Sequence, residues 1–143
     1  MTQSSHLPTI NFFKVFIPDV DTIGMFMSCD GLQVQVEVMQ YAEGGRNNAP
    51  HNLPGRVTYP NLNLTRGMTD QDALMRWFNA TRTKAELKEI RIELLKHGDR
   101  SPLRTWSFVD AFPVKWSGPN FTAGSASPAT ESLEIAHGGL SGF

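Results

Sequence analysis

The chain has 143 residues, of which 40% are hydrophobic and 19% charged, and its formal net charge is −1. This length is sufficient for one domain with its own core, and the low net charge argues against a disordered chain. Proteins that bind nucleic acids usually carry a strongly basic surface, so 13 basic against 14 acidic residues do not favour direct DNA binding.

The cysteine content and the N-terminal residues bear on the compartment. Cys29 is the only cysteine, so no intrachain disulfide is expected, and a small, partly buried side chain is a simpler role for it than a nucleophile. Residues 1–8 have no basic segment followed by an apolar one, and the apolar segment 12–18 is too short to span a bilayer. We expect synthesis in the cytoplasm and no stable membrane anchoring.

Alternation of apolar and polar residues, which is typical of β-strands, runs through most of the chain. Residues 12–17 are apolar at both odd and even positions, with Lys14 as the exception, as in a strand that is covered on both faces. The clearest alternation is in 32–38, where a leucine and three valines alternate with glutamines and a glutamate. This pattern predicts a strand with one buried face and one polar face. Similar alternation predicts strands at 61–65, 89–94, 105–109 and 132–135.

Residues 42–58 are predicted to form a long polar loop, because they contain three glycines and two prolines. Loops longer than about 12–15 residues are uncommon in compact domains and are often functional. We expect this loop to reach a neighbouring subunit. A second extended segment, 117–130, is rich in Gly, Ser, Ala and Pro and is predicted to cross between two strands.

A single segment, 69–80, is predicted to be helical. Thr69 and Asp72 have the spacing of a capping box, and apolar residues then recur at helical spacing up to Trp77 and Phe78. We expect these two aromatic side chains to pack over an end or side of the β-structure. The chain as a whole is predicted to be one mainly β domain over 1–143, a β-barrel or sandwich with one flanking α-helix and an N-terminal arm at 1–9.

No catalytic, metal-binding or cofactor-binding motif is found. The four histidines lack the spacing of zinc ligands. His137-Gly138-Gly139 faintly resembles an esterase oxyanion loop, but the Gly-x-Ser-x-Gly motif that such an enzyme needs is missing. We therefore expect no enzyme, no cofactor and no metal, and a hydrolase centred on His137 is the least favoured hypothesis.

Several distinctive motifs follow one another along the chain. Residues 53–67 read LPGRVTYPNLNLTRG, and they are preceded by Gly-Leu at 31–32 and Tyr-x-Glu-Gly-Gly at 41–45. Trp77-Phe78 then falls in the predicted helix, 111–119 read AFPVKWSGP, and 131–140 read ESLEIAHGGL. In this order, over 12–140, the motifs resemble the contractile phage tail tube family, which includes inner tube proteins of phage-like injection systems. Asn52 departs from the pattern, since many members carry a basic residue there.

This resemblance implies a fold and a role. Six subunits would form a ring with a continuous inner β-barrel, and rings would stack into a hollow tube that sheath contraction drives through a target envelope. The implied partners are other copies of the chain, the sheath protein, baseplate or spike and terminator proteins, and the DNA or effector protein carried in the lumen. The residues expected at subunit interfaces are Glu43, Gly44, Gly45, Arg46, Asn47, Leu53, Pro54, Gly55, Arg56 and Tyr59. Those expected in the core are Trp77, Phe78, Trp106 and Pro113.

Two alternatives stay open from the sequence. A monomeric β-barrel that binds a small ligand or peptide would show the same strand pattern, with a preformed apolar pocket. Within the tube hypothesis, a phage tail, a tailocin and an extracellular injection particle would use the same kind of subunit, made in the bacterial cytoplasm and incorporated into the particle.

Overall fold

The structure is a computed structural model, and it describes residues 13–18, 26, 28–41, 51–69, 72–96, 101–124 and 126–142. These residues form a mainly β fold with a single helix, as the sequence predicts. The elements are β1 (Phe13–Phe16), β2 (Ser28–Asp30), β3 (Gln35–Tyr41), β4 (His51–Thr58), β5 (Leu62–Gly67), α1 (Ala73–Thr83), β6 (Lys88–Leu95), β7 (Pro102–Ser117), β8 (Thr130–Ala136) and β9 (Gly139–Gly142).

Seven of these strands form one antiparallel sheet. Its order is β1-β6-β7-β8-β5-β2, and β9 pairs with β7. The 16-residue β7 joins the two halves, because its first part pairs with β6 and β9 and its last part pairs with β8. It does not run straight: Asp110 has a φ of 53°, and the pairing with β8 shifts register between Pro113 and Lys115. Among the described strands, β1 and β2 end this order, and β9 also has a single neighbouring strand.

The core lies between the inward faces of these strands. In β5 and β8 every second residue is buried, and cross-strand pairs such as Leu64 with Leu133 and Leu62 with Ile135 place apolar side chains side by side. The alternation predicted at 61–65 and 132–135 therefore corresponds to burial. Phe108 from β7 and Ile90 from β6 complete the centre of the core.

The helix begins and ends later than the sequence predicts. It spans Ala73–Thr83 rather than 69–80, and Asp72 is its N-cap residue without a side-chain capping hydrogen bond. The capping box expected between Thr69 and Asp72 is therefore wrong. The Asp72 carboxylate instead accepts a 2.9 Å contact from the Arg76 guanidinium on the helix surface. No helix in the described part of the chain is long and apolar enough to cross a membrane.

The residues expected in the core lie in two elements, α1 and β7. Trp77 is buried on the inner face of α1, and Pro113 is buried in β7. Phe78 and Trp106 are half-buried and pack against the core.

The long loop predicted at 42–58 is wrong in its second part. Residues 51–58 form β4, which pairs antiparallel with β3 from Gln35–Thr58 to Tyr41–His51, while 42–50 lie outside the described residues. Pro54 and Gly55 look like turn residues, but they lie where the pairing shifts register between Val36 and Val38. A β-bulge on a strand without a second neighbour accommodates proline and glycine, because fewer ladder hydrogen bonds are needed there.

Candidate assembly surface

The β3–β4 hairpin is a two-stranded sheet separate from the seven-stranded one. Every residue of β3 is exposed, and in β4 only Gly55 is partly covered. The expectation that the strand at 32–38 has one buried face is therefore wrong for a single subunit. Alternation marks a face suited to burial, but it does not say whether the covering surface belongs to the same chain.

Both faces of the hairpin carry apolar side chains. On one face, Val36 pairs with Val57 and Val38 with Pro54; on the other, Met39 pairs with Leu53. Val38 is 61% exposed and Met39 57%. Contiguous exposed apolar surface of this kind marks a site of protein–protein interaction.

Gly55 allows the two strands of the hairpin to approach each other. A Cβ atom at this position would lie 2.9 Å from the backbone oxygen of Glu37 and 3.1 Å from Cγ of Met39. A larger residue at 55 would therefore displace β3 or the Met39 side chain. This contact is local to the hairpin and gives Gly55 a structural role there.

The interface residues expected from the sequence fall into two groups. Leu53, Pro54, Gly55 and Arg56 lie on β4, and Tyr59 follows its end. The other group, Glu43, Gly44, Gly45, Arg46 and Asn47, lies outside the described residues.

Tyr59 and His137 hold the base of the hairpin against the main sheet. The two rings are 5.5 Å apart, and His137 also makes an edge contact with Phe108, with ring centroids 4.7 Å apart. Gly139, with a φ of +141°, lies against the Tyr59 ring, where a Cβ would come within 3.2 Å of it. These contacts fix Tyr59, the residue that follows β4, on the main sheet.

The environment of His137 favours its neutral form. Burial lowers its pKa, against a smaller raising effect of the Pro60 carbonyl. The Nδ1 atom accepts a 3.2 Å hydrogen bond from the backbone N–H of Gly139, which requires an unprotonated Nδ1. With this surrounding, His137 acts as a packed aromatic residue at the base of the hairpin.

A buried ion pair joins two neighbouring strands of the main sheet. Arg66 and Glu131 are cross-strand neighbours on β5 and β8, both at least 95% buried, and Nε of Arg66 donates to Glu131. Trp116 Nε1 donates a 3.2 Å hydrogen bond to the other carboxylate oxygen. This pair is not predicted from the sequence, although Arg66 lies on the same face of β5 as Leu62 and Leu64.

Two observations bear on metal binding and on the reactivity of the single cysteine. In the described residues no three side chains among His, Cys, Asp and Glu are grouped to hold a metal ion. Burial, with the nearby Asp30 charge, raises the pKa of Cys29 to about 11, so its nucleophilic thiolate form is scarce at neutral pH.

Comparisons with known proteins agree with this picture. The family model described as T4-like virus tail tube protein gp19 matches residues 9–141. A chain of the PVC sheath/tube terminator, from an extracellular contractile injection system in the extended state, is 25% identical with a TM-score of 0.86, covering 96% of both chains. A chain of the PVC sheath-tube complex is 25% identical with a TM-score of 0.84, covering 96% of this chain and 91% of that one.

A third similar structure is the tube terminating cap of the anti-feeding prophage. It is 26% identical with a TM-score of 0.84, covering 99% of this chain and 93% of that chain. No curated protein sequence matches the chain at a significant level.

The fold and the exposed hairpin define the class of the protein as a β-rich structural subunit. Because the family model covers nearly the whole chain, the protein belongs to the T4-like virus tail tube protein family. It is a structural subunit of the inner tube of contractile injection systems.

Proposed function

We propose that six copies of this chain form a ring, that the rings stack into a hollow tube, and that the β3–β4 hairpin is the element by which one copy binds the next. The observation that carries the proposal is the exposure of this hairpin on both faces with apolar residues on each. An isolated two-stranded hairpin is only marginally stable in water, so a covering surface is needed.

The composition of the hairpin suits an interface. Val36, Val38, Met39, Tyr41 and Leu53 are all exposed, and aromatic residues and methionine are enriched at the centre of protein–protein contacts. Complete burial of one such side chain contributes about 1.5–3 kcal/mol. A few of them, repeated at every subunit, are sufficient to stabilise an assembly of many copies.

The ends of the main sheet support a continuous inner wall. β1 and β2 end the sheet among the described strands, and unpaired edges tend to recruit further strands. Pairing between neighbouring copies would remove these edges and join the sheets into one barrel around the lumen. The segment from Glu43 to Asn47 would extend the hairpin contact to the adjacent subunit or ring.

The partners proposed for the tube follow from the assemblies in which similar chains occur. Those assemblies are described as a sheath-tube complex, a baseplate, a tube cap and a sheath/tube terminator. By analogy, this chain would contact a sheath protein, baseplate or spike proteins and a terminator. It would carry DNA or an effector protein in the lumen, in a phage tail, a tailocin or an extracellular injection particle, and it would have no catalytic activity.

Negative-stain electron microscopy of the purified protein at high concentration tests the proposal. Wild-type protein should form rings or hollow tubes. The double variant Val38→Ser/Met39→Ser should raise the concentration needed for assembly about a hundredfold or more, because each of the two lost apolar contacts contributes at least about 1.5 kcal/mol.

The control is Leu87→Ser, which removes a side chain of similar exposure outside the hairpin. It should assemble as the wild type does, and all three proteins should have the same circular dichroism spectrum. Normal tubes from the hairpin double variant would contradict the role of the hairpin. A wild-type chain that stays monomeric at every concentration, with or without a baseplate template, would contradict the tube itself.

A further inference from the structure

An apolar cavity of about 310 Å³ lies where the two end strands of the main sheet approach each other. We call it the seam pocket. Ser28 is the one hydroxyl-bearing residue in its lining, and a volume of this size is at the lower end of the range for pockets that bind a ligand group. The apolar lining residues are Phe13 from β1, Cys29 from β2, Leu32, Ile92 and Leu94 from β6, and Trp106 from β7.

The segment between β7 and β8 carries a side chain that fits such a pocket. Phe121 is 92% exposed, the highest value among the large hydrophobic residues that the structure describes. It stands on a loop containing Pro119 and Gly124, and Gly124 has a φ of +80°. A phenylalanine that becomes buried removes about 150–250 Å² of its surface from water, so this exposed ring is able to contribute strongly to a contact with a neighbouring copy.

Phe121 does not fill the seam pocket of its own subunit. Its side chain is 92% exposed, and none of the residues that line the pocket comes from the loop that carries it. Trp106 lines the pocket from the first part of β7, whereas Phe121 follows the last residue of that strand, Ser117.

The exposed apolar residues of the hairpin suit the pocket less well. They are part of a paired ribbon, in which cross-strand neighbours such as Val36 and Val57 form a continuous surface. A ribbon packs on a surface, whereas a single aromatic ring on a loop is able to enter a cavity. Leu32 already lines the pocket, where it is 40% exposed.

We propose that Phe121 of one copy inserts into the seam pocket of the next copy, as a second contact of the tube in addition to the hairpin. A contact between two different surfaces of a subunit is heterologous, and its repetition generates rings or filaments rather than closed dimers. The contact rests on the proposed function, since it needs copies arranged head to tail. Insertion of Phe121 also covers Phe13, Leu32 and Trp106, which line the water-accessible seam pocket in the isolated subunit.

Photo-crosslinking tests the contact directly. Phe121 is replaced by the photoreactive analogue p-benzoylphenylalanine, tubes are assembled and irradiated, and linked peptides are identified by mass spectrometry. The expected product is a ladder of covalent multimers in which residue 121 is joined to strands of the seam pocket, at 28–32, 92–94 or 106. The same analogue at Leu87 serves as the control and should give no link to these strands.

A second variant measures the energetic contribution. Phe121→Ala should leave the thermal unfolding of the monomer unchanged, because the side chain is exposed. It should raise the concentration needed for assembly about tenfold. Phe121→Leu should largely restore assembly at the wild-type concentration. Tubes that form normally with Phe121→Ala, or links from residue 121 to other sites only, would overturn this contact while leaving the tube intact. A protein that forms no tube at all would overturn both proposals.

Discussion

The strands β5 and β8 and the strand β3 have the same sequence pattern but opposite surroundings. In β5 and β8 the apolar residues of the alternating pattern are buried, and Leu64 and Leu133 are completely inaccessible to solvent. In β3 the same alternation leaves all seven residues exposed. The difference shows that an alternating pattern predicts a face to be covered, and that the covering partner can be another copy of the chain.

The largest expected effect comes from the buried ion pair in the main sheet. Glu131→Gln removes the carboxylate charge beside the Arg66 guanidinium and should lower the free energy of unfolding of the monomer by about 3–5 kcal/mol, because the loss of the Glu131 counter-charge next to a buried cation is strongly destabilising. Asp72→Asn is the matched control at the exposed pair with Arg76, where the loss should be about 0–1 kcal/mol. Urea denaturation measures both, and equal losses would show that Arg66 and Glu131 are not isolated from water.

Substitutions of a core leucine and of a hairpin valine distinguish an effect on folding from an effect on assembly. Leu133→Ala should destabilise the monomer by about 2–5 kcal/mol, since it removes a buried side chain and leaves a cavity. Val38→Ala should change the monomer by less than about 0.5 kcal/mol, the usual range for surface positions, while still weakening assembly. The comparison is made by thermal unfolding below the assembly concentration, and a similar loss in both variants would mean that the hairpin already packs on its own subunit.

The smallest expected effect is a pH dependence at the base of the hairpin. Because burial lowers the pKa of His137 below its ordinary value of 6.5, the unfolded chain binds the proton first as the pH falls. The contribution of His137 to stability is therefore complete above pH 6.5 and decreases below it, until the folded form is protonated as well.

Urea midpoints of wild-type protein and His137→Gln at pH 7.5 and 5.5 measure this contribution. The wild type should lose more stability than the variant between the two values. Equal losses in the two proteins would indicate that His137 is solvated in the folded state.

Much of the main sheet could be predicted from the sequence, whereas the hairpin could not. The strands at 61–65 and 132–135 were predictable because every second residue is apolar, and the helix was predictable because Trp77 and Phe78 recur with Ala73 and Leu74 at helical spacing. Its start was placed too early, at Thr69, because the spacing of a capping box does not show that the capping hydrogen bond forms. The segment 51–58 was predicted as loop because Pro54 and Gly55 are typical of turns, and pairing with β3 outweighs that local preference.

The candidate site could be predicted in part. The order of motifs along the chain was sufficient for the family, since those motifs reflect residues that are local in sequence. The pairing of Arg66 with Glu131, the cavity between β1 and β2, and the stacking of Tyr59 on His137 could not be predicted, because each joins residues from distant strands whose register is set by the sheet.

The sequence by itself determined the mainly β class, the single helix among the described elements and the membership of the tail tube family, because periodicity and short motifs are properties of neighbouring residues. Only the tertiary structure decided which alternating strands are covered within the subunit and which remain exposed. Burial depends on how strands far apart in the chain come together, and in an assembling protein it depends also on surfaces that a second copy supplies.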